Sequence, residues 1–556
     1  MNNAQSYECG SSSRPLIGCT IGRYFDSVCE DHGDELALVV RHQAVRWTYA
    51  QLRERVDAVA SALLEKGLEL GDRVGIWSHN RAEWTIMQFA TAKAGLILVN
   101  INPAYRSAEL GYALNKVGCK ALVASVAFKT SRYIDMLREI APELATAQVG
   151  NLRAAEVPHL RLVISLGDDL HPGCLPFSEL LACRPDTDRL SALAVEIDFD
   201  SPVNIQFTSG TTGQPKGATL SHHNILNNGF SVGEAIGLKR GDRLCIPVPL
   251  YHCFGMVMGN LACLTHASAM IYPGEGFEPR ATLEAVQAER CDGLYGVPTM
   301  FIAMLDHPEF ASFDLSSLRT GIMAGSLCPT TIMQRVIDDM HMSQVTIAYG
   351  MTETSPVSFQ SGVHDDVNHR VTTVGRIQPH LEAKVIDQDG RIVPRGTPGE
   401  LCTRGYSVMI GYWGEPERTA EVLNRGWMRT GDLAEIDANG YCRIVGRIKD
   451  MVIRGGENIY PREIEEALYK HPGIEDVQIV GVPDQKYGEE LAAIIIRKPQ
   501  SPICEDDVRD LCRARLAHYK MPKYIRFVEE FPLTVTGKVQ KFILRDQLIA
   551  ELGIDS

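Results

Sequence analysis

Apolar and polar residues alternate along the first part of this chain with two different periods. In TYAQLRERVDAVASALLEKG, which starts at Thr48, apolar residues recur every three to four positions, as in an amphipathic helix that ends at Gly67. Apolar runs typical of strands (DRVGIW, LILVNI, KALVAS) alternate with further helical segments (AEWTIMQFATAKAG, SAELGYALNKVG). This alternation predicts a parallel sheet that is covered on both faces.

The same alternation resumes after residue 200, with SHHNILNNGFSVGEAIG as a helix and DRLCIPVP as a strand. Residues 244–274 carry no formal charge, so their length alone would allow a membrane span. Because Pro247, His252, Asn260 and Pro273 interrupt this stretch, we expect instead a strand, a turn and a buried helix within a large core. No integral membrane span is therefore predicted.

The pattern changes again in the last third of the chain. Between about residues 370 and 446, short strands separated by Gly, Pro and Asp turns predict a small antiparallel barrel or sheet. Beyond Arg447 a compact alternation begins: a helix starts at Pro461, two apolar strands follow, and DDVRDLCRARLAHY is expected to be the last helix. We therefore predict an α/β fold with a large N-terminal domain of doubly wound sheets plus a small β-barrel unit (residues 1–448) and a smaller α+β C-terminal domain (residues 449–556).

Composition and charge narrow the class of protein. The chain has 69 acidic against 55 basic residues, a net charge of −14, so the basic footprint of a nucleic-acid-binding protein is missing. Its 15 cysteines contain no CxxC spacing, which argues against a zinc knuckle or a dithiol redox pair and for buried thiols in a reducing compartment. The first residues lack the apolar core of a signal peptide, and their Ser and Arg content is a weaker signal of an organelle transit segment. We expect a cytoplasmic protein.

Residues 207–217 read FTSGTTGQPKG and follow the apolar alternation of PVNIQF. Glycines let backbone N–H groups approach a phosphate without interference from Cβ, and hydroxyl groups and Lys216 add further donors. The segment is not a Walker A loop, because proline and glycine stand where that motif needs glycine and serine or threonine. Taken alone, it fits a phosphate-binding loop and a polar turn equally well.

Four more segments follow this loop in the chain: YGMTETS (349–355), WMRTGDLAEID (427–437), GRIKDMVIRGGENIYP (446–461) and TVTGKVQKFILR (534–545). In this order, the five segments resemble the adenylate-forming superfamily of acyl-CoA synthetases, adenylation domains and luciferases, over essentially the whole chain. Two segments, KGATLSHHNILNN and GRIKDMVIRGGENIYPREIEE, most resemble the sequences of the medium-chain fatty acyl-CoA synthetases of the family-member-2-like branch.

The resemblance implies an ATP site with Mg²⁺ as cofactor. The loop would hold the β- and γ-phosphates through Thr208, Ser209, Gly210, Thr211, Thr212, Gly213 and Lys216. Glu353, with Thr211, would bind Mg²⁺, a cation that suits one carboxylate and several phosphate oxygens. Asp432 would bind the ribose with Arg447 beside it, and the adenine would lie among Gly325, Ser326, Tyr349, Gly350 and Thr352. Taken one at a time, these residues also fit ordinary structural roles: Glu353 as a helix-capping acid, Asp432 as a turn residue and Arg447 as a surface charge.

The resemblance also implies roles for the C-terminal domain. Lys538 matches the catalytic lysine that bridges the attacking carboxylate and the α-phosphate, and Lys449 matches a hinge about which this mobile domain rotates. Coenzyme A, the second substrate, would pass Gly455, Gly456 and Glu457, because a narrow pantetheine channel needs backbone without side chains.

The acyl site is expected around PLYHCFG. His252 would stand near the substrate carboxylate, and Cys253, Gly255, Met256, Met323 and Met351 would line an apolar channel, although methionines are also ordinary core residues. A Cys253–His252 nucleophilic pair is a minor alternative, since adjacent residues on a strand point to opposite faces.

The sequence therefore predicts an ATP-dependent fatty acid:CoA ligase whose partners are a small carboxylic acid, ATP and CoA. Three alternatives stay open: a ligase for aryl or branched-chain acids, an adenylation enzyme that serves a carrier protein, and a nucleotide-binding module without catalysis. Chain length of the acid and oligomeric state are not determined, and a homodimer is one possibility.

Overall fold

The computed structural model describes residues 5–167, 169–208, 215–325, 328–455, 457–533 and 539–554. Two large sheets dominate it, and the predicted parallel strands form their centres. The eight-stranded sheet runs in the order Cys174–Pro176, Leu162–Leu166, Ala121–Ser125, Arg73–Trp77, Ile97–Ile101, Pro202–Thr208, Lys216–Ser221 and Gly411–Tyr412. Its first six strands pair in parallel and the last two antiparallel.

The nine-stranded sheet is built in the same way. It runs in the order Arg376–Ile377, Val357–Gln360, Gln344–Gly350, Thr320–Ala324, Gly293–Gly296, Arg243–Cys245, Ala269–Tyr272, Leu36–Val40 and Val45–Thr48. The six strands from Gln344–Gly350 to Leu36–Val40 are parallel, and antiparallel strands close both edges. The doubly wound α/β prediction is thus confirmed.

Helices cover both sheets, and the largest apolar core lies between them. The described α-helices are Ile21–His32, Tyr49–Glu65, Ala82–Lys93, Ser107–Val117, Tyr133–Ile140, Phe177–Leu181, Thr187–Glu196, His222–Ala235, Ala262–Thr265, Pro279–Glu289, Pro298–Leu305, Thr330–Asp339, Val367–Thr372, Pro416–Val422, Pro461–Leu468, Glu505–Arg515 and Lys541–Leu552. Short 3₁₀ turns span Arg41–Gln43, Pro142–Ala145, Phe310–Ser312, Thr352–Thr354, Ile448–Asp450 and His518–Lys520. Ile76 of one sheet and Ile322 of the other belong to one buried cluster, so the two sheets share this core.

The uncharged stretch 244–274 folds inside this core. It forms the strand Arg243–Cys245, a π-helix at Phe254–Leu261 that continues into Ala262–Thr265, and the strand Ala269–Tyr272. The interpretation as strand, turn and buried helix is confirmed, although the first strand is shorter than DRLCIPVP suggests. Among the helices of the described ranges, none combines the length and apolarity that crossing a bilayer requires.

The antiparallel unit is a six-stranded sheet. Its order is Tyr7–Cys9, Leu381–Ile386, Gly399–Gly405, Trp427–Ile436 and Leu423–Asn424, with Cys442–Arg447 also paired to Trp427–Ile436. Strand Tyr7–Cys9 comes from the opposite end of the chain, which no local pattern predicts. A separate two-stranded ribbon joins Ala127–Phe128 to Ser131–Arg132.

The C-terminal part has its own sheet and its own apolar clusters. Strands run in the order Glu457–Ile459, Val452–Arg454, Gly488–Arg497 and Ile474–Asp484, and Tyr524–Val528 pairs with Gly488–Arg497. All buried members of the two clusters here lie at or beyond residue 452. The helix predicted from DDVRDLCRARLAHY (residues 506–519) is present as Glu505–Arg515. The expectation that it is the last helix is wrong, because Lys541–Leu552 follows and packs on the second cluster through Leu544 and Leu548.

The 15 cysteines all lie in the described ranges and form no disulfide, and most are buried. Burial raises the pKa of thiols such as Cys29 and Cys402, both to about 12, which keeps them protonated and unreactive. This agrees with the expectation of buried, inert thiols.

Candidate active site

The glycine-rich loop is the tip of a β-hairpin. Strands Pro202–Thr208 and Lys216–Ser221 pair antiparallel, which places Thr208 opposite Lys216. The Thr208 hydroxyl donates to the Lys216 carbonyl oxygen at 3.5 Å. The predicted phosphate ligands Ser209, Gly210, Thr211, Thr212 and Gly213 lie outside the described residues, as does the Thr211 metal contact. The structure therefore places the two ends of the loop next to each other.

A tyrosine joins the loop lysine to the predicted magnesium ligand. Tyr412 lies on the edge strand beside Lys216–Ser221, and its hydroxyl donates to Glu353 Oε1 at 2.8 Å. The Lys216 ammonium donates to the same hydroxyl at 3.2 Å and lies 4.4 Å from the ring centroid. Burial and the Glu353 charge raise the pKa of Tyr412, so this hydroxyl stays a proton donor.

Glu353 is 5% exposed and sits in the 3₁₀ turn Thr352–Thr354, directly after the strand that ends at Gly350. Its carbonyl oxygen accepts from the Met409 N–H at 2.9 Å, which fixes the turn against the segment that leads into the strand Gly411–Tyr412. A single carboxylate fits a Mg²⁺ ion that takes its remaining ligands from phosphates and water.

The predicted ribose ligand is held from both sides. Asp432 Oδ2 accepts from the Tyr349 hydroxyl at 2.6 Å, and Oδ1 lies 3.0 Å from Arg447 Nε. The pairing of strands Trp427–Ile436 and Cys442–Arg447 sets Asp432 opposite Arg447. A carboxylate offers about four lone-pair directions, so Asp432 keeps room for two sugar hydroxyls.

Lys449 adds a third cation to this group. Its side chain is exposed in the turn Ile448–Asp450. Partial desolvation lowers the pKa of Lys449, and the positive charges of Arg447 and Lys216 act in the same direction. The structure thus brings the predicted hinge residue close to the loop lysine and to Arg447. Three clustered cations form an environment that favours a polyphosphate.

The predicted adenine-site residues lie at the carboxyl ends of two neighbouring parallel strands, Thr320–Ala324 and Gln344–Gly350. This edge is where open α/β sheets bind ligands. Gly350 is required sterically, because a Cβ there would lie 1.7 Å from the Pro356 carbonyl oxygen. Gly325 has φ = +96°, in the region that favours glycine, whereas Ser326 is outside the described residues.

Most predicted acyl-site residues surround the start of the π-helix. The Cys253 thiol donates to Gln206 Oε1 at 3.1 Å, and Met256 Sδ accepts from Gln206 Nε2 at 3.0 Å. Met351 packs on the cluster that contains Cys253 and Met256. His252 is partly exposed, and its Nδ1 accepts from the Phe254 N–H at 3.2 Å.

The position of Met323 differs from the expectation. Met323 belongs to a different buried cluster from Met256, because strand alternation points Ile322 and Ala324 toward the shared core and Met323 to the other face. Gly255 allows close backbone packing, since a Cβ there would lie 2.4 Å from the Pro249 carbonyl oxygen. The structure therefore does not bring Met323 to the acyl site.

The Cys253–His252 alternative loses support from burial. Cys253 is fully buried, and burial raises the pKa of its thiol far above neutrality. A nucleophilic cysteine needs the opposite environment, exposed and electropositive.

Residues predicted to serve CoA lie apart, in the C-terminal sheet. Gly455 has φ = +60°, and its N–H donates to the Tyr487 carbonyl oxygen at 2.8 Å. Glu457 is exposed on the strand paired with Val452–Arg454. Gly456 and Lys538 are outside the described residues, so the catalytic lysine stays a prediction.

Tyr412 and Gln206 are the site residues that sequence reasoning missed. Gln206 directly precedes the segment 207–217 on an alternating strand, which could have indicated a side chain that faces the site. Tyr412 lies about 200 residues after the loop in the chain, and only the pairing of its two-residue strand brings it there.

Comparisons with known proteins agree with this geometry. The model of the AMP-binding enzyme family matches residues 25–413, and that of the AMP-binding enzyme C-terminal domain matches residues 463–538. The chain is 46% identical to bovine (Bos taurus) medium-chain acyl-CoA ligase ACSF2, mitochondrial, with 99% of this chain and 91% of the relative covered. It is 45% identical to the putative acyl-CoA synthetase YngI of Bacillus subtilis, with 97% and 99% covered.

Solved structures with the same fold include two ligand-bound enzymes. The anthranilate CoA ligase AuaEII with anthranoyl-AMP has a TM-score of 0.85 at 25% identity, with 97% of this chain and 99% of that chain covered. ATP-bound MatB of Rhodopseudomonas palustris has a TM-score of 0.79 at 29% identity, with 96% and 99% covered. The cytoplasmic expectation is not confirmed, since the ACSF2 relatives are named mitochondrial. With one family model matching most of its length and relatives matching nearly all of it, the chain belongs to the AMP-binding enzyme family.

Proposed function

We propose that this enzyme joins a medium-chain fatty acid to coenzyme A at the expense of ATP. The observation that carries the proposal is the group formed by Lys216, Arg447 and Lys449 beside the carboxylates of Glu353 and Asp432. Cations next to two acids at the carboxyl edge of a parallel sheet suit a nucleotide polyphosphate and its metal ion.

The reaction would proceed in two steps. First, a carboxylate oxygen of the fatty acid bonds to the α-phosphorus of ATP while the bond to pyrophosphate breaks. Next, the CoA thiol loses its proton, its sulfur bonds to the acyl carbon, and AMP leaves. Both partners of the first step are anionic, so the protein must supply positive charge and alignment.

The described residues can be assigned to these tasks. Lys216 and Lys449 would neutralise phosphate oxygens, and Asp432, oriented by Tyr349 and Arg447, would hold the ribose. Glu353 would hold Mg²⁺, which supplies charge neutralisation at the phosphates. Lys538 would approach the reacting atoms in the first step and withdraw for the second, when the C-terminal domain presents Gly455 and Gly456.

An alkyl substrate fits the apolar surroundings of the acyl site. Met256, Met351 and Tyr251 belong to or pack on one apolar cluster, and methionines adapt to flexible chains. The curated relatives named as medium-chain ligases support the same acid class. The fold also serves an anthranilate ligase, so an aryl acid is the second candidate.

The test is CoA- and ATP-dependent AMP formation across straight-chain fatty acids of increasing length, with benzoate and cinnamate in parallel. We expect a maximum among medium-chain acids. In Lys538→Ala, adenylation should fall by about 10²–10³-fold while thioester formation from supplied acyl-adenylate persists. Activity with aromatic acids alone would overturn the acid class, and absence of pyrophosphate release with every acid would overturn the reaction.

The compartment and the assembly state remain predictions. A cytoplasmic location and a homodimer can be checked by fractionation of the native source and by light scattering of the purified chain.

A further inference from the structure

Three side chains able to bind a metal lie together, and none of them is among the residues assigned to the candidate active site. We infer that His42, His79 and Glu275 form a binding site for a divalent transition-metal ion of the zinc class. Their ligand atoms all lie within 4.8 Å of one another. Each residue follows the carboxyl end of a parallel strand, namely Leu36–Val40, Arg73–Trp77 and Ala269–Tyr272, and these strands come from both large sheets.

The distances suit coordination better than direct pairing. His79 Nε2 and Glu275 Oε1 are 3.7 Å apart, too far for a hydrogen bond. Two ligands of one tetrahedral zinc, each about 2.0–2.1 Å from the ion, lie roughly 3.3–3.5 Å apart. His42, which is exposed on the three-residue turn Arg41–Gln43, supplies the third ligand atom within the 4.8 Å limit.

The His79 ring is oriented as metal-binding imidazoles usually are. Its Nδ1 lies 3.3 Å from the Asn80 carbonyl oxygen, so an N–H on Nδ1 donates there and leaves the lone pair of Nε2 toward Glu275. A backbone carbonyl that accepts from the second ring nitrogen is a typical outer partner of a metal-bound histidine.

Hydrogen bonds hold the three loops together. The Asn80 N–H donates to the Glu275 carbonyl oxygen at 3.1 Å, which ties the second and third ligand loops to each other. On the His42 turn, Gln43 Oε1 accepts from the Ala82 N–H at 2.7 Å, and its Nε2 donates to Glu83 Oε2 at 2.9 Å. The ligands are thus largely positioned before any ion binds.

The electrostatics also favour a cation. The Glu275 carboxylate supplies negative charge, and each imidazole ring offers the lone pair of one nitrogen to a metal ion. The neighbouring positive charge, Arg81, is paired with Glu83 through two contacts of 2.7 and 2.8 Å.

Two histidines and one glutamate form a donor set that zinc uses in proteins, with water as the fourth ligand. A bound ion would join the two sheets and fix the Asn80 loop. The Asn80 side chain donates to the Val248 carbonyl oxygen at 2.9 Å and accepts from the Leu250 N–H at 2.8 Å, two residues before His252. The site would therefore brace the segment that leads to the acyl pocket.

The test is titration of the full-length chain with Zn²⁺ by calorimetry, together with the absorption spectrum of its Co²⁺ form. We expect one tight site per chain and Co²⁺ ligand-field bands without thiolate charge transfer. His42→Ala and Glu275→Gln, both at exposed positions, should each weaken binding by more than the roughly 10–100-fold typical of outer-shell changes. His159→Ala, another exposed histidine, is the matched control and should bind as the unmodified chain does.

Three results would overturn the site: no stoichiometric binding, a thiolate band that assigns the ion to a cysteine, or unchanged affinity in both ligand variants. Circular dichroism of each variant separates lost binding from lost folding, and if one variant misfolds the other decides. The readout is metal binding, so it does not depend on whether the proposed ligase reaction is correct.

Discussion

At the scale of single residues, the hydroxyl of Tyr412 is the contact that joins Lys216 to Glu353. Tyr412→Phe removes this hydroxyl but keeps the ring beneath the lysine ammonium. A hydrogen bond to a charged group contributes about 1.5–3 kcal/mol, so we expect adenylation to slow by roughly 10–100-fold. Pyrophosphate release as a function of Mg²⁺ concentration measures this, and the Mg²⁺ requirement should rise because Glu353 loses its positioning donor.

Tyr441→Phe is the matched control for this substitution. The Tyr441 hydroxyl also donates to a carboxylate, Asp365 Oδ1 at 2.7 Å, in the antiparallel unit. We expect this variant to keep full adenylation activity. Equal losses in the two variants would assign the effect of Tyr412→Phe to stability rather than to the site.

Single residues also show how far the sequence reaches. Local sequence was enough to predict Asp432, Arg447 and Tyr349, because each lies in a segment that carries the family resemblance. The structure brings these three residues together. The role of Tyr412 could not be predicted, since it depends on a strand pairing between distant parts of the chain. Met323 was assigned to the acyl site by its residue type, but the face it occupies depends on strand alternation that only the fold reveals.

At the scale of elements, the turn after strand Gln344–Gly350 carries Glu353 and depends on a glycine. In Gly350→Ala, the new Cβ would lie 1.7 Å from the Pro356 carbonyl oxygen, so the paired strands must separate. Overpacking typically costs 1–3 kcal/mol, and contact with rigid backbone should reach about 3 kcal/mol or more. Thermal unfolding should show a midpoint lowered by several degrees.

Gly362→Ala, in the same sheet region, serves for comparison. Its Cβ would meet only the Asp365 side chain, at 3.6 Å, an ordinary contact. We expect its unfolding midpoint to stay close to that of the unmodified chain. If Gly350→Ala unfolded at the same temperature as Gly362→Ala, the proposed steric role of Gly350 would be wrong.

Elements with strong local signals were predictable, and those set by tertiary pairing were not. The helix after Thr48 has a capping box, in which the Thr48 hydroxyl and the Gln51 side chain each accept from the other residue's backbone N–H, so its start is encoded within four residues. The strand Arg243–Cys245 is shorter than its apolar run because Pro247 and Pro249 have no N–H for a ladder. The final helix, Lys541–Leu552, was missed although Gly553, with φ = +63°, ends it in the way that glycine commonly ends helices.

The turn Ile448–Asp450 is the element between the two proposed domains. Lys449→Pro fixes φ at this position and removes an N–H, so we expect the C-terminal domain to lose its rotation. One half-reaction, adenylation or thioester formation, should then fall by about 100-fold while the other persists. Separate assays of pyrophosphate release and of CoA transfer from supplied acyl-adenylate distinguish them, with Lys449→Ala as control for the lost charge. Normal rates for both half-reactions in Lys449→Pro would refute the hinge.

At the scale of the whole molecule, the division of apolar cores argues for two folding units. One buried cluster spans both large sheets, whereas the described buried members of the two C-terminal clusters all lie at or beyond residue 452. The sequence could indicate this division through the restart of strand–helix alternation after Arg447. It could not indicate how the N-terminal strand Tyr7–Cys9 joins the sheet of Leu381–Ile386, since that pairing spans most of the chain.

If residues 449–556 form an independent domain, this segment alone should unfold cooperatively. Its central strands, Gly488–Arg497 and Ile474–Asp484, pair along their whole length. One face of this sheet packs against a helix through Ile464 and Leu468. The other face packs against the final helix through Leu544 and Leu548. Because both faces of this sheet are covered from within the segment, its apolar surface is buried without the N-terminal part.

Thermal melting of the isolated segment followed by circular dichroism should give one sigmoidal transition, and residues 1–448 should bind ATP but release no pyrophosphate without Lys538. A gradual, non-cooperative melt of the C-terminal segment would show that its core depends on the N-terminal domain, and the boundary at 448–450 would have to be abandoned.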